Sequence, residues 1–160
     1  MKKSICFAIG LILASALPAA AAAEERPYFG NDDSEFARDG ECDDVRFVGE
    51  GMADALMTDS IGRDAADCRV AFDAGKVTAN PMFDEPAAGV DYAYGDDASQ
   101  FAGDGRCDDI RFTGLYASET IFLAEDIGHD ASDCRAAVAA GNAHWQANEH
   151  EFVFGEDAAS

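Results

Sequence analysis

A small, loop-rich α+β fold is predicted, made of two tandem disulfide-bonded units with short helices. Three observations predict it. The chain repeats itself: residues 29–49 align without gaps to residues 94–114 with thirteen of twenty-one positions identical, and 61–75 align to 127–141 with ten of fifteen. Four cysteines, Cys42, Cys68, Cys107 and Cys134, fall at matching places in the two copies. Each unit has about 48 residues, near the size below which an apolar core needs cross-links or metals.

The elements follow in chain order. Residues 1–23 read as a signal peptide: Lys2 and Lys3, an apolar run from Ile5 to Leu17, then Ala21-Ala22-Ala23 before the cut. The run is short for a membrane span, and no later stretch could cross a bilayer. Cys6 lies at the front of the run, which argues against a lipoprotein anchor there. Unit 1 covers 29–75 and unit 2 covers 94–141. Each should open with a short aromatic strand, "RPYFG" or "DYAYG", and pass through an acidic loop to Gly49 or Gly114. A short helix is expected in the spacer, clearest at "SETIFLAED" with Ser118 as its cap. A final helix is expected from about Ala65 to Ala74 and from Ala131 to Ala140, stopped by Gly75 or Gly141. Residues 76–93, with two prolines and one glycine, read as an extended, mobile linker. In the tail, 142–160, "FGEDAAS" echoes "FGNDDSE" and "YGDDASQ" and is a possible start of a third unit.

Cleavage of the leader takes the net charge from −21 to −23, which excludes nucleic acid and anionic membrane surfaces as partners. Export makes an even cysteine count a disulfide framework. Four cysteines allow three pairings; Cys42–Cys68 with Cys107–Cys134 closes each repeat on itself. That pairing would bring "DAADC" against "RDGECDD", so that Asp64 and Asp67 approach Asp39, Asp43 and Asp44. In unit 2, Asp130 and Asp133 would approach Asp104, Asp108 and Asp109. So many carboxylates repel unless a cation sits among them. Hard oxygens without a nearby histidine suit calcium, which takes six to eight oxygen ligands, better than zinc or copper. About two calcium ions are expected. The competing roles are plain ones: Asp64 and Asp67 as helix caps, and Asp-Gly as a solvated turn. Arg46 and Arg111 in "DDxRF" read as internal ion-pair partners, and Phe36, Phe47, Phe101 and Phe112 as core.

Asp39-Gly40-Glu41-Cys42-Asp43 followed by Asp64-Ala65-Ala66-Asp67-Cys68 resembles the calcium-binding half of a Lin-12/Notch repeat. The resemblance implies that the two cysteines bond to each other and that Asp39, Asp64 and Asp67, with Asp104, Asp130 and Asp133, hold calcium. It covers some fifteen residues per unit, and the family carries more cysteines per repeat than the two found here.

Catalysis is not expected. The chain has no His-Glu-x-x-His, nucleophile elbow or phosphate-cradling glycine loop. His129 is Arg63 in the other copy, and His144 and His150 lie in a polar stretch. The function read from sequence is a secreted or periplasmic calcium-binding repeat module with a structural or interaction role, its partner another secreted or cell-surface protein. The alternative is a metal-independent acidic protein that binds a basic protein or peptide. Within the first reading, the loop around Glu41 is more acidic than the one around Arg106 and should hold calcium more tightly.

Overall fold

The structure is a computed structural model that describes residues 26–115 and 123–146. The signal peptide, Ser118 with most of its expected helix, His150 and the echo at 154–160 lie outside the described residues. Two units of the same α+β design follow one another. Unit 1 contains β1 (Phe47–Gly49), α1 (Ala65–Asp73) and β2 (Val77–Ala79). Unit 2 contains β3 (Phe112–Gly114), α2 (Ala131–Ala139) and β4 (Ala143–Trp145). β1 pairs antiparallel with β2, Val48 opposite Thr78, and β3 pairs with β4, Thr113 opposite His144.

The nine-residue helices form where the sequence predicts them. Each closes in a Schellman turn: Gly75 N–H donates to Phe72 O and Lys76 N–H to Ala71 O, and Gly141 and Asn142 repeat the pattern on Val138 and Ala137. Gly75 and Gly141 take the left-handed φ of 69° and 72° that this turn requires. The turn sends the chain straight back along the helix into β2 or β4.

Three expectations are corrected. "RPYFG" and "DYAYG" form no strand; they run as extended segments laid on the helix start. Asn31 N–H donates to Gly62 O and Ala65 N–H to Asn31 O; Asp96 makes the same two bonds with Gly128 and Ala131. Gly30 and Gly95 permit the approach, since a Cβ on either would stand 1.9 Å from the carbonyl oxygen of Gly62 or Gly128. The strands of each unit come instead from residues assigned to linker and tail, Val77–Ala79 and Ala143–Trp145, because the Schellman turn returns them to β1 and β3. Phe36 and Phe101 are 37% and 40% exposed and are not core. Phe29 and Tyr94 take that place, stacked at 5.3 Å on Phe47 and Phe112. In the spacers the described residues form single 3-10 turns, Thr58–Ser60 and Ala124–Asp126.

Each unit wraps a small core around its disulfide. In unit 1 this is Phe29, Cys42, Phe47, Ala65, Cys68, Ala71 and Val77, with Phe72 set edge-on to Phe29 and Phe47. Unit 2 has Val138 where unit 1 has Phe72, and the aromatic volume returns from β4: Trp145 lies edge-on to Phe112 and stacks on Tyr92. A third cluster, Val45, Phe83, Ile110 and Ile127, joins the two units, with Leu56, Ile61 and Trp145 at its margin. Val45 and Ile110 are equivalent repeat positions, as are Ile61 and Ile127. Met57 forms an antiparallel bridge to its own equivalent, Leu123. Equivalent residues meeting antiparallel define a local pseudo-two-fold, the geometry of an isologous dimer within one chain.

Candidate metal centres at the two helix starts

The disulfides pair as Cys42–Cys68 and Cys107–Cys134, one per unit. Cys68 and Cys134 sit in the first turn of α1 and α2, so each bond clamps the acidic loop to a helix N-terminus. Around the clamp, ligand atoms of Cys42, Asp64 and Cys68 lie within 4.8 Å of one another, as do those of Cys107, Asp130 and Cys134. These two groups could hold a metal ion. The sulfurs are tied up in disulfides and are not thiolates, so the effective donors are the oxygens.

Asp64 and Asp130 are fully buried. Oδ2 of Asp64 accepts the Asp43 N–H at 2.8 Å, and Oδ2 of Asp130 accepts the Asp108 N–H at 2.7 Å. Oδ1 of each has no hydrogen-bond partner, and neither has Oδ2 of buried Asp43. Buried polar atoms are nearly always satisfied, so an orphaned carboxylate oxygen calls for an explanation. Desolvation raises the Asp64 carboxyl to about 7, and the charges of Asp67, Asp43 and Asp39 add to it. Desolvation likewise raises Asp130 to about 7, helped by Asp133, Asp108 and Asp104. Asp43 is pushed up to about 6 by desolvation and then by Asp39, Glu41 and Asp67.

The remaining predicted ligands divide. Asp39 and Asp67 reach the same region with one oxygen each on the backbone: Asp39 Oδ1 accepts Glu41 N–H and Asp67 Oδ2 accepts Gly40 N–H, both at 3.0 Å. In unit 2, Asp104 Oδ1 accepts Arg106 N–H, and Asp133 Oδ2 accepts the N–H groups of Gly103 and Gly105. Among the described residues no three carboxylates converge within 4.8 Å, so the oxygens form an open cluster.

Asp44 and Asp109 leave the ligand set. Asp44 is gripped through both oxygens by Arg46, at 2.6–3.0 Å, and also accepts Gly62 N–H. Asp109 is held the same way by Arg111 and Gly128 N–H. The paired acids of "CDD" therefore face opposite ways, one to the cluster and one to the arginine. The ion-pair reading of Arg46 and Arg111 holds.

Asp64 and Asp130 stand at the N-cap positions, with Asp67 and Asp133 in the first turn, but neither N-cap side chain bonds a helix N–H. The caps come from the opening segment: Asp32 Oδ1 accepts Ala66 N–H, and Asp97 accepts the N–H and hydroxyl of Ser132. These bonds hold both carboxyls below their usual range. The signal was available, since Asp32 and Asp97 are one of the identical pairs in the self-alignment. Asn80 and Gln146 carried no such signal. Each donates its backbone N–H to the arginine carbonyl and its side-chain amide to the carbonyl before it, Val45 or Ile110. They fasten the ligand loop to the returning strand.

Compared with known proteins, the chain matches no family model, no curated protein and no solved structure.

Proposed function

We propose that the protein is an exported calcium-binding tandem module, one ion per unit, with a structural or protein-interaction role. The observation that carries this reading is the orphaned oxygen on each fully buried helix-start aspartate, Asp64 Oδ1 and Asp130 Oδ1. Each belongs to a carboxylate raised far above its ordinary range and ringed by further acids. Calcium would take Asp39, Asp43, Asp64 and Asp67 in unit 1, and Asp104, Asp108, Asp130 and Asp133 in unit 2, with water or backbone oxygen completing the shell. The donors are hard oxygens, which suits calcium above softer metals. The disulfides fit an oxidising compartment, and no helix among the described residues is long and apolar enough to cross a membrane.

Calorimetric titration tests the reading, with about two ions per chain expected. Glu41→Arg should weaken the tighter site, because Glu41 adds to the field on Asp43 while unit 2 has Arg106 there. No heat and no binding at millimolar calcium would leave the acidic protein to bind a basic partner without metal.

A further inference from the structure

We propose that the two metal centres are energetically coupled, so that filling one raises the affinity of the other. The inference rests on the calcium reading above and adds to it a regulation. Each ligand loop ends in the core shared by the units. Val45 lies two residues after Asp43, Ile110 two after Asp108, and both are buried in the cluster with Phe83 and Ile127.

A continuous chain of bonds runs alongside this packing. Asn80 Nδ2 donates to Val45 O at 3.0 Å, and Asn80 N–H to Arg46 O at 2.7 Å. Asn80 Oδ1 accepts Met82 N–H at 3.1 Å. Met82 O accepts from Arg111 Nη1 at 3.1 Å, and Arg111 grips Asp109, the neighbour of Asp108. The Met82 side chain also closes on Gly128, whose N–H binds Asp109. Arg111 is fully buried in this junction.

An ion that draws in the unit 1 carboxylates orders the loop carrying Asp43, Asp44 and Val45. That order extends through Val45 and Asn80 into the shared core and Arg111. The second loop then binds its ion with part of its ordering already done, which is positive cooperativity. Direct repulsion between two bound cations acts the other way, and the measured coupling is the net of the two effects.

The test uses the full chain at physiological salt, with calcium titrations of the unsubstituted protein and three variants. Asp130→Asn removes the unit 2 site, and Asp64→Asn the unit 1 site. Each is isosteric, keeps an acceptor for the loop N–H and discharges a buried acid, and circular dichroism checks that each variant folds. Phe83→Ala empties the shared core while touching no ligand. The unsubstituted protein should bind each ion more tightly than the single-site variants bind theirs. In each single-site variant the surviving site should be weaker by about fivefold or more, within the usual range of site–site coupling. Reciprocity requires that what each site loses be the same factor. In Phe83→Ala both sites should bind independently. Two sites whose affinities ignore each other's removal would overturn the coupling while leaving the calcium reading intact. Absence of calcium binding in every protein, the unsubstituted one included, would overturn both.

Discussion

Asp64 shows at the scale of one residue how burial and function become linked. Its carboxyl latches the loop through the Asp43 N–H, faces several other acids, and is out of water. Without calcium the folded chain therefore keeps protons that the unfolded chain has released. For Asp64 and Asp130 the folded value is about 7 against 3.8, and for Asp43 about 6. The stability linked to these groups is fully present below about pH 4 and is lost as the pH rises through 6 and 7. Asp32, Asp96 and Asp97 are lowered, and their contribution is lost only on acidification below the ordinary carboxylate range. In EDTA the protein should melt at a higher temperature at pH 5 than at pH 8. Saturating calcium should close that gap from the alkaline side, because the ion takes over from the protons. Scanning calorimetry at the two pH values, with and without calcium, measures both effects. Glycines give a second residue-scale contrast. Gly30→Ala places a Cβ against the backbone of Gly62 and should cost several kcal/mol. Gly40→Ala meets no atom within 4 Å and should cost about 1 kcal/mol for its positive φ. Urea unfolding of the two variants side by side checks the ranking.

At the scale of elements, the helix and the disulfide act as one device. The bond spans 26 residues in unit 1 and 27 in unit 2 and joins a loop to a helix start. Replacing Cys42 and Cys68 together by serine should cost roughly 3–4 kcal/mol in the loop-entropy account, and chemical denaturation reads it directly. Because the same bond assembles the carboxylates, calcium affinity at that unit should fall with it. The helices, their glycine stops, the disulfide pairing and the approach of Asp64 and Asp67 to the loop were legible in the sequence. They depend on local signals: a helix-stopping glycine and a repeated Cys-Asp spacing. The strands were not legible. β2 and β4 have no identical residues in common, "VTA" against "AHW", so self-comparison stopped at Gly75 and Gly141. What makes them strands is the Schellman turn before them, a local motif, together with the Asn80 or Gln146 clamp after them, a long-range contact that the sequence does not signal. The aromatic openings failed for a related reason. Phe29 and Tyr94 look like strand residues, but their neighbours spend their backbone groups on the helix start. In the site, "CDD" could not reveal which acid faces the cluster, since that is decided by Arg46 and Arg111 reaching back to Asp44 and Asp109.

At the scale of the whole molecule, the protein is a pseudo-dimer in one chain. Two small cores each lean on a disulfide, and a third core between them joins equivalent residues of both units, Val45 with Ile110 and Ile61 with Ile127, to Phe83. One part of the stretch read as a linker belongs to that third core: Phe83 is buried there and Asn80 ties it to unit 1, while Asp84, Glu85 and Val90 are exposed. The high negative charge opposes this compaction, and a divalent cation in each unit would relieve it where the acids are densest. The most direct test of the central claim is the melting temperature of the protein at pH 7.5 in excess calcium against the same protein in EDTA. Ligand in hundredfold excess over its dissociation constant stabilises a single site by about 2.7 kcal/mol. The account predicts a melting temperature higher by several degrees in calcium, and an increment that shrinks when Asp64→Asn and Asp130→Asn are combined. Identical melting curves in millimolar calcium and in EDTA would contradict it.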